Sequence, residues 1–206
     1  MIATLIAAST ILGQEKSVKD FFPVIPNSVW RYEESQKGKS SKTVVEMKAG
    51  SPFHSGEEEV VPVTSTIYKA TTTIYYKITS NEVVTMGYEL DKFLDQPIPI
   101  IKLKDRGMSW KYVGETQLIG EMAPLTMDCS SRLIGKRKVL GEDREVLEVK
   151  YKAVIDAEIG NMKIESQQTA FYADGIGLYE MKENGKVGRS STERTMKLIS
   201  YVEGKE

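Results

Sequence analysis

The stretch Phe171-Tyr172-Ala173-Asp174-Gly175-Ile176-Gly177-Leu178-Tyr179-Glu180 reads as two aromatic, strand-like runs joined by a glycine-punctuated turn. Gly175 and Gly177 can take positive φ, where a side chain is strained, so they permit a sharp reversal. The flanking aromatic residues suit a pleated, half-buried surface. A hairpin of this kind predicts a β-sheet protein and carries no catalytic signature.

The rest of the chain agrees. Threonine, valine, isoleucine and tyrosine recur throughout, and no helix-length window keeps an apolar stripe for more than about two turns. Val29-Trp30-Arg31-Tyr32-Glu33 alternates, with Trp30 and Tyr32 on one face. Thr43 to Lys48 follows a polar turn over Gln36 to Ser41, with Val45 and Met47 inward. Ala49 to Glu59 reads as a polar loop. Val60 to Ala70 and Thr72 to Thr79 are strands, the latter with Ile74, Tyr76 and Ile78 on one face. Leu147, Val149, Tyr151, Ala153 and Ile155 alternate with Glu148, Lys150, Lys152 and Val154, the cleanest one-side-buried strand in the sequence. A partner strand starts at Ile159-Gly160-Asn161, and Asn184-Gly185 predicts a hairpin before a last strand over about Glu193 to Val202. Two segments depart from this pattern. Asp20 to Ser28 contains Pro23 and Pro26 and predicts an extended lead-in. Tyr88 to Asp105 predicts a connector in which Tyr88, Leu90, Phe93 and Leu94 form a short helix ended by Pro97-Ile98-Pro99.

These strands add up to roughly ten to twelve, in a meandering antiparallel sheet curled on itself. Ser109-Trp110-Lys111-Tyr112 repeats the pattern of Ser28-Val29-Trp30-Arg31-Tyr32, an aromatic pair on one face with a cation between. The chain therefore reads as internally duplicated: one β-rich domain over 14–206, made of similar halves at about 20–90 and 105–202. Before it, Ile2 to Gly13 is an apolar run followed at once by charge, which reads as a signal peptide over 1–13. At well under the roughly 20 apolar residues a spanning helix needs, it predicts no transmembrane segment.

Asp20-Phe21-Phe22-Pro23 with Trp30-Arg31-Tyr32, the midchain Trp110-Lys111-Tyr112, and Tyr172-Ala173-Asp174-Gly175-Ile176-Gly177-Leu178 together resemble small exported bacterial proteins of the TapB-like kind. The sheets of that group are similar to the half-barrel of the lipoprotein-localisation factors LolA and LolB. The resemblance implies a curved sheet with a concave apolar face, covered by a short segment, and supplies no catalytic residue. The long helices of the lipoprotein carriers themselves are missing from this sequence.

Composition narrows the function. With 28 Lys+Arg against 29 Asp+Glu over 206 residues, the formal net charge is −1, which provides no field for nucleic acid or an anionic membrane. The single histidine, His54, and the single cysteine, Cys129, cannot build a His/Cys metal cluster or an intramolecular disulfide. A Cys129–His54 nucleophile pair lacks the third member that orients the base, and a lone cysteine in a β protein is ordinarily a small buried apolar residue. Glu57-Glu58-Glu59, Asp91, Asp95 and Glu142-Asp143 lack calcium-loop spacing and read as solvated charges. Gly175-Ile176-Gly177 lacks the third glycine and following helix of a dinucleotide site. Gly135-Lys136-Arg137-Lys138, the basic cluster, suits a turn or a protected strand edge better than a phosphate contact.

What remains is the aromatic set. Trp30, Tyr32, Tyr76, Trp110, Tyr112, Tyr151, Phe171 and Tyr179, if on one concave face, would wall an apolar cavity with a few hydroxyls. The same residues would equally fill a closed core. The expectation is a periplasmic or secreted, non-enzymatic protein without a lipid anchor or cofactor, binding a lipid or other apolar small molecule on its concave face. The alternative is a cell-envelope module that meets a protein partner through a sheet edge.

Overall fold

A computed structural model describes residues 16–90, 92–118, 121–157 and 162–205. The signal-peptide reading, Asp91 and the strand start at Ile159-Gly160-Asn161 lie outside these described residues. After a one-turn helix α1 (Val18–Phe21), thirteen strands follow: β1 (Val29–Gln36), β2 (Thr43–Ala49), β3 (Phe53–Ser55), β4 (Glu58–Ile67), β5 (Ala70–Ile78), β6 (Glu82–Glu89), β7 (Lys92–Lys102), β8 (Gly107–Leu118), β9 (Glu121–Val139), β10 (Glu142–Ala157), β11 (Met162–Ala173), β12 (Gly177–Val187) and β13 (Ser190–Val202). Every pairing is antiparallel, and twelve strands run in the order β7-β6-β5-β4-β2-β1-β13-β12-β11-β10-β9-β8, with β3 attached to β4. The sheet curls into a nearly closed barrel whose two end strands, β7 and β8, face each other.

Alternation decides which residues line the lumen. From β1 outward, Tyr32 pairs with Val45 on β2 and with Leu198 on β13, and on the far side Tyr151 pairs with Cys129, which pairs with Trp110. These side chains face inward: Trp110, Cys129 and Tyr151 belong to the main apolar core with Tyr76, Val83, Ile101, Leu147, Val149 and Tyr172, and Tyr32 and Val45 to a second cluster with Trp30 and Met196. The barrel end beside the turns at Ser80 and Asp174 is plugged by α1. Val18 and Phe21 are fully buried there, and Phe22 and Val24 pack against the same core. The plug is tied to both halves of the barrel. The Val18 N–H donates to the Ser80 carbonyl at 2.8 Å, and the Gly175 N–H donates to the Asp20 carbonyl at 2.8 Å. Lys16 meets Asp174 at 2.6 Å. The first–last strand junction is fastened by the Gly204 N–H donating to the Ser28 hydroxyl at 2.9 Å.

Several local expectations are corrected. The lead-in is helical over Val18–Phe21 because Ser17 and Asp20 form a reciprocal capping box, and the helix stops before Pro23. The midchain connector is the strand β7, not a helix. Pro97 and Pro99 are tolerated because β7 ends the sheet, where a missing N–H costs no ladder bond. The polar loop over 49–59 contains β3, which folds onto β4 as a small hairpin over an outer apolar cluster with Phe53, Tyr75 and Phe93. Asn184-Gly185 lies inside β12, opposite Ser166 and Gln167, and the reversal falls at Gly188 with φ +57°. Gly135 to Lys138 sits within β9 just before the turn at Leu140-Gly141, and Glu142-Asp143 opens β10. The Gly175 and Gly177 turn forms as the sequence requires, at φ +72° and +95°.

Candidate functional site

Beneath the plug lies an apolar pocket of about 100 Å³, bounded by Phe22, Pro23 and Val24 from above and by Trp30, Tyr32, Met47, Val63, Tyr76, Ile100, Tyr172 and Leu178 from the sheet. Phe22 forms its roof against two tyrosines, edge-on to Tyr76 at 5.3 Å between ring centroids and tilted to Tyr172 at 6.1 Å. Both contacts are in the range where aromatic pairs attract beyond simple area burial.

The hydroxyls in and beside this pocket belong to tyrosines, and the Trp30 indole adds one N–H. Tyr32 donates to the Leu178 carbonyl at 2.9 Å and Tyr151 to the Ile100 carbonyl at 2.6 Å. Burial raises the inward phenols Tyr32, Tyr76, Tyr112, Tyr151 and Tyr172 above their ordinary value, because removal from water disfavours the phenolate; Tyr172 is pushed up to about 12. They are therefore neutral hydrogen-bonding groups at physiological pH. Cys129 faces the same lumen, and burial pushes its thiol up to about 11, which keeps it an unreactive small apolar residue. His54 is exposed on β3, a strand that pairs with β4 alone and not with β9, the strand of Cys129. Among the described residues no group of His, Cys, Asp and Glu side chains is arranged to hold a metal ion.

The eight aromatic residues singled out in the sequence separate into three groups. Trp30, Tyr32 and Tyr76 line the pocket. Trp110, Tyr112 and Tyr151 also face inward, but their polar atoms reach β7: Trp110 Nε1 donates to Pro99 O at 3.1 Å, and the Tyr112 hydroxyl donates to Gln96 O at 3.0 Å. Phe171 and Tyr179 are on the outer face, 6.1 Å apart, with the Lys182 ammonium 5.8 Å from the Phe171 ring centre. The lumen takes their neighbours instead, Tyr172 and Leu178, which pair with each other across β11 and β12. The signal for this was present. Phe171 lies opposite Glu148 and Glu180, whereas Tyr172 lies opposite Leu147, and the parity of Leu147 was legible from its own strand. Phe22 was passed over because it precedes a proline in a segment read as a lead-in.

The two Ser-Trp-Tyr motifs do equivalent work. Trp30 Nε1 donates to Ile176 O at 2.6 Å and Tyr32 to Leu178 O on the neighbouring wall, as Trp110 and Tyr112 do to β7. β1 and β8 thus each carry an aromatic pair whose polar tips tie down backbone elsewhere in the barrel.

No protein-family model matches the sequence, and no curated protein matches it. Of the TapB-like and LolA/LolB resemblance, the part that stands is the fold, a curled antiparallel sheet. Among solved structures, the chain is similar to a candidate lipoprotein from Parabacteroides distasonis, with a TM-score of 0.52 and 11% identity over 92% of this chain and 100% of that one. A candidate exported protein of YmcC-like fold from Bacteroides fragilis gives a TM-score of 0.44 and 8% identity over 86% of this chain and 96% of that one. The first of these likenesses establishes the shared barrel architecture. No described helix is long and apolar enough to cross a membrane.

Proposed function

We propose that the protein works outside the cytoplasm as a non-enzymatic binder of a small apolar ligand, held in the pocket between Phe22 and the inner face of the sheet. The observation that carries this reading is the pocket itself: about 100 Å³ of space with apolar and aromatic walls, where a sealed core would have none. Space of this order takes a short acyl end or a single ring, since an apolar cavity of about 150 Å³ binds benzene. The neutral phenols at its margin suit a ligand with one hydrogen-bonding group and no charge. The apolar run Ile2 to Gly13 and the candidate lipoprotein that shares the fold support a place beyond the cytoplasmic membrane.

Native mass spectrometry of protein exported by its host and purified without detergent, followed by organic extraction, tests the reading. The expected result is an apolar molecule at near-stoichiometric amount in the parent, lost in Leu178→Trp, which fills the pocket. Recovery of empty protein from the parent would refute it.

A further inference from the structure

β7 and β8 follow each other in the chain, run antiparallel and are joined by the short segment Leu103 to Arg106, yet no backbone ladder links them. Side chains close the seam. Trp110, Tyr112, Tyr151 and Ser131 donate to carbonyls of Pro99, Gln96, Ile100 and Lys102. Past Tyr112 the strands touch only through side chains, with Gln96 against Gly114 and Gln117 Nε2 donating to Glu89 Oε1 at 2.8 Å, around a cleft of about 480 Å³ between Phe93–Gln96 of β7 and Gly114–Gln117 of β8.

The β8 side of this cleft has backbone to offer. Glu115 pairs with Pro124, which has no N–H to give, so Glu115 turns its own N–H and C=O away from β9 and into the seam. Its carbonyl accepts from the Tyr112 hydroxyl at 3.3 Å. With the two-residue period of a strand, Val113 and Gln117 present their N–H and C=O the same way. The rim is acidic. Glu89 is paired with Lys92 at 2.8 Å, which leaves the carboxylates of Asp95 and Glu115 without a cation among the described residues.

We propose that this cleft receives an extended, basic peptide segment of a partner protein, which adds a strand along Val113–Gln117 of β8. Backbone pairing would satisfy the free edge, and cations on the added strand would answer Asp95 and Glu115. At about 3.3 Å per residue the paired stretch is about 17 Å long.

The test uses the full chain and three fluorescein-labelled synthetic heptapeptides, read by anisotropy: alternating lysine and valine, the same peptide N-methylated at alternate backbone nitrogens, and alternating glutamate and valine. The first is expected to bind and the other two to fail. Gln117→Pro, which removes a seam-facing N–H, should weaken the first at least tenfold, and Asp95→Asn with Glu115→Gln several-fold. Equal binding of the N-methylated peptide would overturn strand addition even if Gln117→Pro misfolds. No binding of the lysine peptide would overturn the proposal, as would a peptide-free dimer of the parent that Gln117→Pro dissolves, which would assign the edge to a second copy.

Discussion

Replacing Phe21 by alanine tests whether the N-terminal plug belongs to the core or merely rests on it. The ring is fully buried beside Val18 in the main apolar cluster. The bonds that place the helix, Val18 N–H to Ser80 and Gly175 N–H to Asp20, are backbone bonds that the substitution leaves intact. The plug should therefore stay in place, and the loss is that of the ring's transfer from water plus the cavity it leaves. Buried phenylalanine-to-alanine changes cost about 3–5 kcal/mol. For a chain of this length each kcal/mol lowers the melting midpoint by about 2–4 °C, so Phe21→Ala should melt about 6–20 °C lower. Urea unfolding followed by tryptophan fluorescence gives the free energy directly. Val44→Ala, at an exposed position, is the control and should stay within about 0.5 kcal/mol of the parent. A loss below about 1 kcal/mol for Phe21→Ala, with an unchanged denaturant slope, would refute the reasoning and make the plug a detachable strap.

Tyr151→Phe keeps the ring and deletes the donor to Ile100 O at 2.6 Å, leaving a seam carbonyl unsatisfied; it should cost about 1–3 kcal/mol in urea unfolding, whereas Tyr179→Phe on the outer face should be near neutral. Gly114→Ala would place a Cβ over the Tyr112 hydroxyl and 2.8 Å from Gln96 Oε1; the expected cost is about 1–3 kcal/mol, with faster amide exchange along β7, and unchanged exchange would count against the seam's close approach. Alkaline titration followed by tyrosinate absorbance should show a late, cooperative step, because Tyr32, Tyr76, Tyr151 and Tyr172 ionise only as the protein unfolds. The sign follows from linkage: a phenol whose folded pKa is raised keeps its proton in the native state, so stability is full below about pH 10 and falls as pH rises toward the folded value, about 12 for Tyr172. Four inward phenols titrating freely near pH 10 without unfolding would disprove their burial.

The barrel was legible where alternation was unbroken. β10 could be read residue by residue, because Leu147 to Ile155 keep one parity against one partner face, and the paired Trp30/Tyr32 and Trp110/Tyr112 motifs announced β1 and β8. Alternation failed where a second influence entered. β7 was hidden by Pro97 and Pro99, whose penalty disappears at a sheet end, a position that only the tertiary fold defines. α1 was hidden because the capping box of Ser17 and Asp20 outweighs the nearby prolines over a single turn. At the site, the pocket-facing Trp30, Tyr32 and Tyr76 were within reach of strand parity. Tyr179 is the extra residue that the shift between Phe171 and Tyr172 leaves in β12, while Phe171 follows the unbroken parity of β11, which places it opposite Glu148 on the outer face.

The strand order also bears on how the molecule comes together. Within β1–β7 and within β8–β13 every ladder joins strands that are neighbours in sequence, save that β2 reaches past the small β3 to β4. One ladder alone, β1 with β13, unites the two meanders, and the Trp30 and Tyr32 bonds that cross from β1 to the other meander span 146 residues of chain. Each meander can therefore form with low loop-closure entropy, while the long-range cost is concentrated in a single zippering event that the plug then clamps. Substitutions that weaken the β1–β13 ladder should therefore slow folding, whereas those in the plug, which clamps the barrel once it is closed, should mainly hasten unfolding.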